Sequence, residues 1–154
     1  MDEKKNLVSG LKRWKRTFRV LELNPTGKKF ANMSRILAVD TQEPTLYLLM
    51  DINTDVCTMA NQKLLVLDLQ SGAPQDLKQI SLHPPPQDAY QVGGKVMSSK
   101  ILPETSELSI SCGGLILALR GPSTLCPQVN AGESWFAVLY PHVPYSDSPA
   151  STKK

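Results

Sequence analysis

The chain has 154 residues, of which 41% are hydrophobic and 20% are charged, and its formal net charge is +3. A chain of this length and apolar content can bury a core as one domain, so its composition excludes a wholly disordered protein. No apolar run approaches the roughly 20 residues that span a bilayer. Residues 1–10 lack the apolar segment of a secretory signal, so we expect any membrane contact to be peripheral.

Apolar residues recur mostly with a short period, which favours β-strands over helices. The runs that read as strands are 16–23, 34–39, 45–50, 63–69, 107–112, 115–119 and 135–140. Gly113-Gly114 joins two of these runs directly, and a two-residue glycine link is typical of a tight hairpin. We predict a single all-β domain, a barrel or a sandwich, with short helical additions. Residues 3–15 and 55–65 are the two helix candidates.

The chain divides into three predicted parts. Residues 1–15 are expected to form a basic N-terminal arm, residues 16–140 the β domain, and residues 141–154 a disordered tail rich in proline and serine. Within the domain, Gly93-Gly94-Lys95 reads as a turn or bulge. Residues 83–90 contain Pro84, Pro85 and Pro86, which favour an extended loop. That loop is either a rigid surface segment or a docking motif for a partner that binds proline-rich peptides.

Positive charge is concentrated near the amino end. Residues 1–35 carry ten Lys or Arg and three Asp or Glu, a net of +7, whereas residues 36–154 carry seven and eleven, a net of −4. Such asymmetry predicts an anionic partner, either a membrane surface or a nucleic acid. The residues that we expect to bind it are Lys12, Arg13, Trp14, Lys15, Arg16, Phe18, Arg19, Lys28 and Lys29.

The aromatic residues among these candidates have a separate predicted role. Trp14 and Phe18 would stack on nucleic-acid bases or insert at a membrane interface, while the cations neutralise phosphates. The alternative is a solvated positive edge with Trp14 packed in the core. If the binding interpretation holds, replacing Lys12, Arg13, Lys15 and Arg16 with alanine should abolish binding to anionic liposomes and leave the fold intact.

No motif indicates catalysis, a cofactor or a metal. The three cysteines have no Cys-x-x-Cys spacing, and both histidines lie beside proline in predicted loops. Residues 51–55 imitate the start of a calcium loop, but Val56 stands where that loop needs glycine. We therefore expect a binding protein that is not an enzyme and that uses no cofactor or metal.

Two families share features with this sequence. Residues 10–21 resemble the opening strands of pleckstrin-homology domains, and residues 135–139 are similar to the Trp and Leu of their closing helix. That resemblance implies binding of phosphoinositide headgroups. The small β-rich matrix proteins of negative-strand RNA viruses are similar in their compact β domain, cationic face and proline-tyrosine segments such as 83–90. This second resemblance implies self-assembly on the inner membrane leaflet and contact with a nucleocapsid.

The leading hypothesis is a matrix-like protein that docks its basic N-terminal face on the inner membrane leaflet and associates with itself. The alternatives are a nucleic-acid-binding barrel of the oligonucleotide-binding type and a phosphoinositide-binding module. The expected location is intracellular, either peripheral to a membrane or in the nucleus or cytoplasm.

Overall fold

A computed structural model describes residues 12–24, 33–54, 63–72 and 89–142. These residues form eight strands and contain no helix. The strands are β1 (Arg13–Leu23), β2 (Met33–Asp40), β3 (Tyr47–Asn53), β4 (Leu64–Ser71), β5 (Tyr90–Ile101), β6 (Thr105–Cys112), β7 (Leu115–Pro122) and β8 (Ser134–Pro141). The prediction of a single all-β domain is confirmed.

The eight strands close into a barrel in the order β1-β2-β3-β7-β6-β5-β8-β4. Every ladder is antiparallel, and β1 completes the barrel by pairing with β2 on one side and β4 on the other. Closure leaves no unpaired sheet edge between these strands. The hairpin predicted at Gly113-Gly114 joins β6 to β7, and both glycines have positive φ, 64° and 96°, as a tight turn requires.

Alternation along each strand places one set of apolar side chains inside the barrel. The largest side chain in this core is Trp135. Other members are Phe18, Leu48, Leu67 and Leu119. Burial of a large apolar side chain contributes roughly 1.5–3 kcal/mol. The core is therefore the main source of stability, and it fixes which face of each strand points outward.

Two β-bulges adjust this alternation. The register of β1 against β2 shifts between Val20 and Glu22, which leaves Leu21 as the extra, exposed residue. The register of β5 against β6 shifts between Val96 and Ser98, which leaves Met97 exposed in the same way. The predicted simple alternation of residues 16–23 therefore holds only as far as Val20.

The loop between β7 and β8, residues 123–133, covers the end of the barrel at which β1 begins. Its Leu125, Cys126 and Val129 pack on the core. Ser99 Oγ donates a hydrogen bond of 2.8 Å to the carbonyl of Val129, and Trp14 Nε1 donates one of 2.7 Å to the carbonyl of Leu125. Neighbouring strands thus hold the loop in place.

The structure corrects several expectations about local structure. Residues 13–15, predicted as part of an arm and of a helix, are the first residues of β1, because they pair with β4. Leu64 and Leu65, at the end of the second helix candidate, lie in β4. The other residues of these candidates, 3–11 and 55–62, lie outside the described residues apart from Lys12 and Lys63, neither of which is helical.

The segment around Gly93 and Gly94 is likewise a strand and not a turn. Both glycines lie inside β5, opposite Phe136 and Trp135 of β8. A Cβ on Gly94 would meet the carbonyl oxygen of Ser111, so glycine serves here to let β5 approach β6 closely.

Candidate functional site

The basic stretch, residues 11–20, contains five of the predicted binding cations, and Arg13 is one of them. Its guanidinium forms a bidentate ion pair with Asp68 of β4: Nε donates to Oδ1 at 3.1 Å and Nη2 donates to Oδ2 at 2.7 Å. The hydrogen bond to Asp68 raises the pKa of Arg13. A guanidinium held in this fork geometry has fewer donors left for a phosphate.

Arg16 forms the same kind of bidentate ion pair with Asp40 of β2. Nε and Nη2 each donate to one carboxylate oxygen at 2.8 Å, and the side chain of Asp40 is only 1% exposed. Burial raises the pKa of Asp40, but hydrogen bonds from Arg16 and from the backbone N–H groups of Gln42 and Glu43 outweigh it, so the net pKa is lowered. This ion pair links β1 to β2.

A third pair of the same kind joins β2 to β3. Arg35 Nε donates to Asp51 Oδ1 at 2.6 Å, and Asp51 Oδ2 also accepts the backbone N–H of Ile116 at 3.0 Å. All three pairs link neighbouring strands across the ladder, where such contacts fix the register. The arginines near the amino end are thus largely neutralised by the protein's own carboxylates.

The two aromatic anchors predicted in the basic stretch differ in their exposure. Phe18 is 0% exposed and lies in the core. Trp14 is half-buried, packs against the core, and donates its indole N–H to the carbonyl of Leu125. The centroids of the two rings lie 6.3 Å apart. Phe18 therefore has no surface to offer a ligand, because alternation turns it inward, whereas a binding role for Trp14 stays a prediction.

The remaining candidates of the basic stretch differ in position. Lys12 Nζ donates to the carbonyl of Gln128 at 3.2 Å. Lys15 and Arg19 are exposed on the outer face of β1. Lys28 and Lys29 lie outside the described residues, as do Pro84, Pro85 and Pro86.

A different set of charged and aromatic side chains is assembled by the topology on the outer face of the barrel. Cross-strand partners in consecutive ladders form one continuous line that runs from β1 to β5. This line, here called the outer row, consists of Arg19, Val39, Tyr47, Arg120, Glu107 and Lys100.

The outer row is accessible along most of its length. Tyr47 is 44% exposed, and the side chains of Arg120 and Glu107 are 69% and 53% exposed. Arg120 Nε lies 3.5 Å from Glu107 Oε2, which is a loose, solvent-screened contact. With neighbouring strands about 4.8 Å apart, the five steps from Arg19 to Lys100 extend over roughly 24 Å.

An open cleft of about 440 Å³ lies beside the middle of this row. Tyr47 and Arg120 form one side, and Glu104 and Thr105 of the β5–β6 hairpin form another. Gly121 contributes to the lining, and a Cβ there would lie 2.8 Å from the Cα of Leu46. The glycine therefore allows the start of β3 to pack closely against the end of β7.

Of the outer row, only Arg19 was predicted from the sequence. The six members lie on six different strands between positions 19 and 120, so no local motif contains them. The available signal was the position of Tyr47 and Arg120 within their strands. Each is the polar or aromatic residue that alternates with buried leucines, Leu48 and Leu119.

Neither a membrane-spanning helix nor a metal-binding cluster occurs in the described residues. No helix in the described part of the chain is long and apolar enough to cross a bilayer. Over the same four ranges, no three His, Cys, Asp or Glu side chains are grouped closely enough to hold a metal ion. Burial raises the pKa of the Cys112 and Cys126 thiols.

Comparison with protein families identifies the barrel. The sequence model of the family described as RNA polymerase Rpb8 matches residues 15–139. The match begins in β1 and ends in β8, so it includes residues from all eight strands. The chain belongs to the RNA polymerase Rpb8 family. Among curated protein sequences, none matches it.

Membership of the Rpb8 family overturns both resemblances drawn from the sequence. The chain is neither a viral matrix protein nor a pleckstrin-homology domain. The features that suggested those families, the basic stretch and the closing Trp-Phe segment, are parts of β1 and β8 of the Rpb8 barrel. A matrix-like role at a membrane therefore has no support.

Two solved structures are distantly similar to this Rpb8 chain. One is the cytoplasmic molybdate-binding protein ModG with molybdate bound, at 12% identity and a TM-score of 0.30, covering 83% of this chain and 95% of that one. Another is the virulence-associated protein VapB from Rhodococcus equi, at 7% identity and a TM-score of 0.22, covering 86% of this chain and 99% of that one. At these TM-scores, neither similarity indicates a function for this chain.

Proposed function

We propose that this protein is a non-catalytic subunit of an RNA polymerase, held in the enzyme by contacts with other subunits. The observation that carries this proposal is the match of the Rpb8 family to residues 15–139, which include the whole barrel except its first and last strand residues. A subunit of this kind would work inside the cell, where the polymerase transcribes.

The pairing of the buried acids supports a structural role for them. Asp40, Asp51 and Asp68 are each held by an arginine from a neighbouring strand. In the described residues, no buried side-chain nitrogen or oxygen lacks a hydrogen-bond partner. These carboxylates are therefore committed to holding strands together, whereas an acid–base catalyst needs a carboxylate that can exchange its proton with a substrate.

The test is purification of the full chain with a small C-terminal tag from the cells in which it is made. We expect the largest polymerase subunits, identified by mass spectrometry, to co-purify in constant ratio through a high-salt wash and gel filtration. A tagged chain that is recovered as a free monomer, while active polymerase elutes without it, would refute the proposal.

A second candidate function is contact with nucleic acid, and a specific observation favours it. The outer row presents three cations against one carboxylate, with an exposed tyrosine between Arg19 and Arg120. Basic residues that follow a backbone, combined with an aromatic stacking platform, are the usual means of binding single strands. In the basic stretch of β1, by contrast, the guanidinium groups of Arg13 and Arg16 are already paired with carboxylates of the protein.

This second function is tested by measuring binding of the full chain to a labelled 12-nucleotide single strand and to the matching duplex by fluorescence anisotropy. We expect tighter binding of the single strand, and an affinity that falls linearly with salt on logarithmic scales. Equal binding of both forms, or none at low salt, would remove nucleic-acid contact as a function of this subunit.

A further inference from the structure

The cleft beside Tyr47 has the chemistry of a pocket for a single nucleobase. We infer that it accepts one unstacked base of a single-stranded nucleic acid whose phosphates lie along the outer row. This inference rests on the nucleic-acid contact proposed above, and it adds the site and the ligand class.

Tyr47 is placed where a base could stack on it. It stands at the first position of β3 and is 44% exposed, although its cross-strand neighbour Val39 is buried. The tyrosine therefore keeps an exposed surface beside the cleft. A base that stacks on an exposed ring must first be free of its own stacked neighbours, which favours single strands over a duplex.

The charges around the cleft separate the base from the phosphates. Glu104 lines the cleft, and a carboxylate there repels a phosphate but accepts a hydrogen bond from the amino group of a base. Arg120 stands at the rim beside Tyr47, and Arg19 stands two strands away on the other side. With about 4.8 Å between strands, the backbones of Arg19 and Arg120 are roughly 14 Å apart along the row, on either side of Tyr47. In the proposed complex, each arginine contacts a phosphate on one side of the base.

The contact between Arg120 and Glu107 does not prevent this role. The two groups are 3.5 Å apart and both are more than half exposed, so the attraction is weak and the guanidinium can turn to a phosphate at little cost. Arg13 and Arg16 differ in this respect, because their carboxylate partners are almost fully buried. Arg19 forms no ion pair with the described residues, and it is exposed.

The cleft's capacity is consistent with one base and not with a folded nucleic acid. Its volume of about 440 Å³ is at the low end of the range for small-molecule pockets. Its walls offer the hydroxyl group of Thr105 and the Glu104 carboxylate, while the Thr45 hydroxyl donates to Glu43 and can only accept. Such groups can meet the polar edge of a base while its face rests on the tyrosine.

The test measures binding of labelled 12-nucleotide single strands to the full chain and to matched variants. Y47A should weaken binding about tenfold, which corresponds to about 1.4 kcal/mol of lost stacking. Y47F keeps the ring and should bind within about twofold of the unmodified chain. R120A should weaken binding and lower the slope of log affinity against log salt by about one phosphate contact.

Two further variants define the specificity and the background. E104Q should reduce any preference for oligo-C over oligo-U about threefold, since the carboxylate is the proposed acceptor of the base amino group. K95A removes an exposed lysine of β5 that lies outside the outer row, and it should leave affinity unchanged. Circular dichroism and thermal melting of each variant confirm that the barrel is intact.

The outcomes separate this inference from the proposed subunit role. If Y47A binds as tightly as the unmodified chain, or K95A loses as much as Y47A, the base pocket is refuted. If no single strand binds while the tagged chain still co-purifies with polymerase, the inference falls and the subunit role stands. If Y47A and R120A are lost from the polymerase but keep their oligonucleotide affinity, the cleft is a docking face for another subunit, and the inference is again overturned.

Discussion

The basic stretch of β1 and the outer row both contain cations, but the folded chain uses them differently. In the basic stretch, Arg13 and Arg16 reach across the ladder to carboxylates that are almost fully buried. In the outer row, Arg19 has no such partner among the described residues, and Arg120 has only a loose, exposed one. Charge density along a sequence therefore identifies strand-joining arginines as readily as ligand-binding ones. What separates the two groups is the burial of the partner.

The largest difference is expected between the neighbouring residues Phe18 and Arg19. Phe18→Ala removes a fully buried ring from the core and should lower the free energy of unfolding by about 4 kcal/mol. Arg19→Ala removes an exposed cation and should change it by less than about 0.5 kcal/mol. Urea denaturation followed by circular dichroism measures both. Equal costs for the two variants would mean that β1 does not have this orientation.

The next comparison is between Arg16 and Lys15. Arg16→Ala leaves the buried Asp40 without its guanidinium and should cost about 3 kcal/mol. Lys15→Ala is the matched control on the same strand, and its cost should be less than about 0.5 kcal/mol. Arg16→Lys keeps the charge but loses the fork geometry, so it should fall between the two.

That expectation revises one of the predictions made from the sequence. Replacing Lys12, Arg13, Lys15 and Arg16 together with alanine was expected to leave the fold intact. Two of the four residues hold β1 to its neighbours, so the combined variant should be destabilised by more than Arg16→Ala alone. Loss of binding in such a variant would report unfolding. Substitutions in the outer row give the cleaner test.

Acid provides a reversible way to break the pair between β1 and β2. The pKa of Asp40 in the folded protein lies below its ordinary value of 3.8. A carboxyl group with a lowered folded pKa stabilises the protein fully above its unfolded pKa, and this contribution is lost as the pH falls through the folded value. Stability should therefore decline below about pH 4.

Asp40→Asn provides the control for this pH dependence. The variant should be less stable at neutral pH and should lose less further stability between pH 5 and pH 2. Glu133 will contribute a remaining slope, because hydrogen bonds from Asn130 and Trp135 lower its pKa as well. If the free energy of unfolding depends on pH in the same way in the unmodified chain and in the variant, Asp40 does not cause the loss of stability in acid.

Much of the fold could be predicted from the sequence, because period-two patterns directly report which face of a strand is buried. Residues 107–119, with their central glycine pair, became the β6–β7 hairpin as expected. The strand that was missed, β5, also alternates, with Tyr90, Val92 and Val96 turned inward. Its two glycines hid it, because glycine that permits a close approach looks the same in sequence as glycine that forms a turn.

The candidate site was much less predictable, because its residues meet only through pairing of strands that are distant in the chain. Tyr47 and Arg120 are direct neighbours in the β3–β7 ladder but lie 73 positions apart in the chain. Their meeting depends on the order in which the strands close, and local periodicity carries no information about that order. The basic stretch was visible because it is contiguous, yet its inward and paired members could be recognised only once Asp40 and Asp68 were placed.

The smallest expected effect on stability distinguishes a binding cation from a structural one most directly. Arg120→Ala breaks an exposed contact of 3.5 Å and should change the free energy of unfolding by less than about 0.5 kcal/mol. The same substitution should weaken binding of single-stranded nucleic acid. Arg13→Ala should lower the free energy of unfolding more, because it leaves the carboxylate of Asp68, whose side chain is only 6% exposed, without its ion-pair partner. Denaturation and anisotropy on the same two proteins give both numbers. If Arg120→Ala proves as destabilising as Arg13→Ala, the outer row is another set of strand-joining contacts, and the distinction between the two regions disappears.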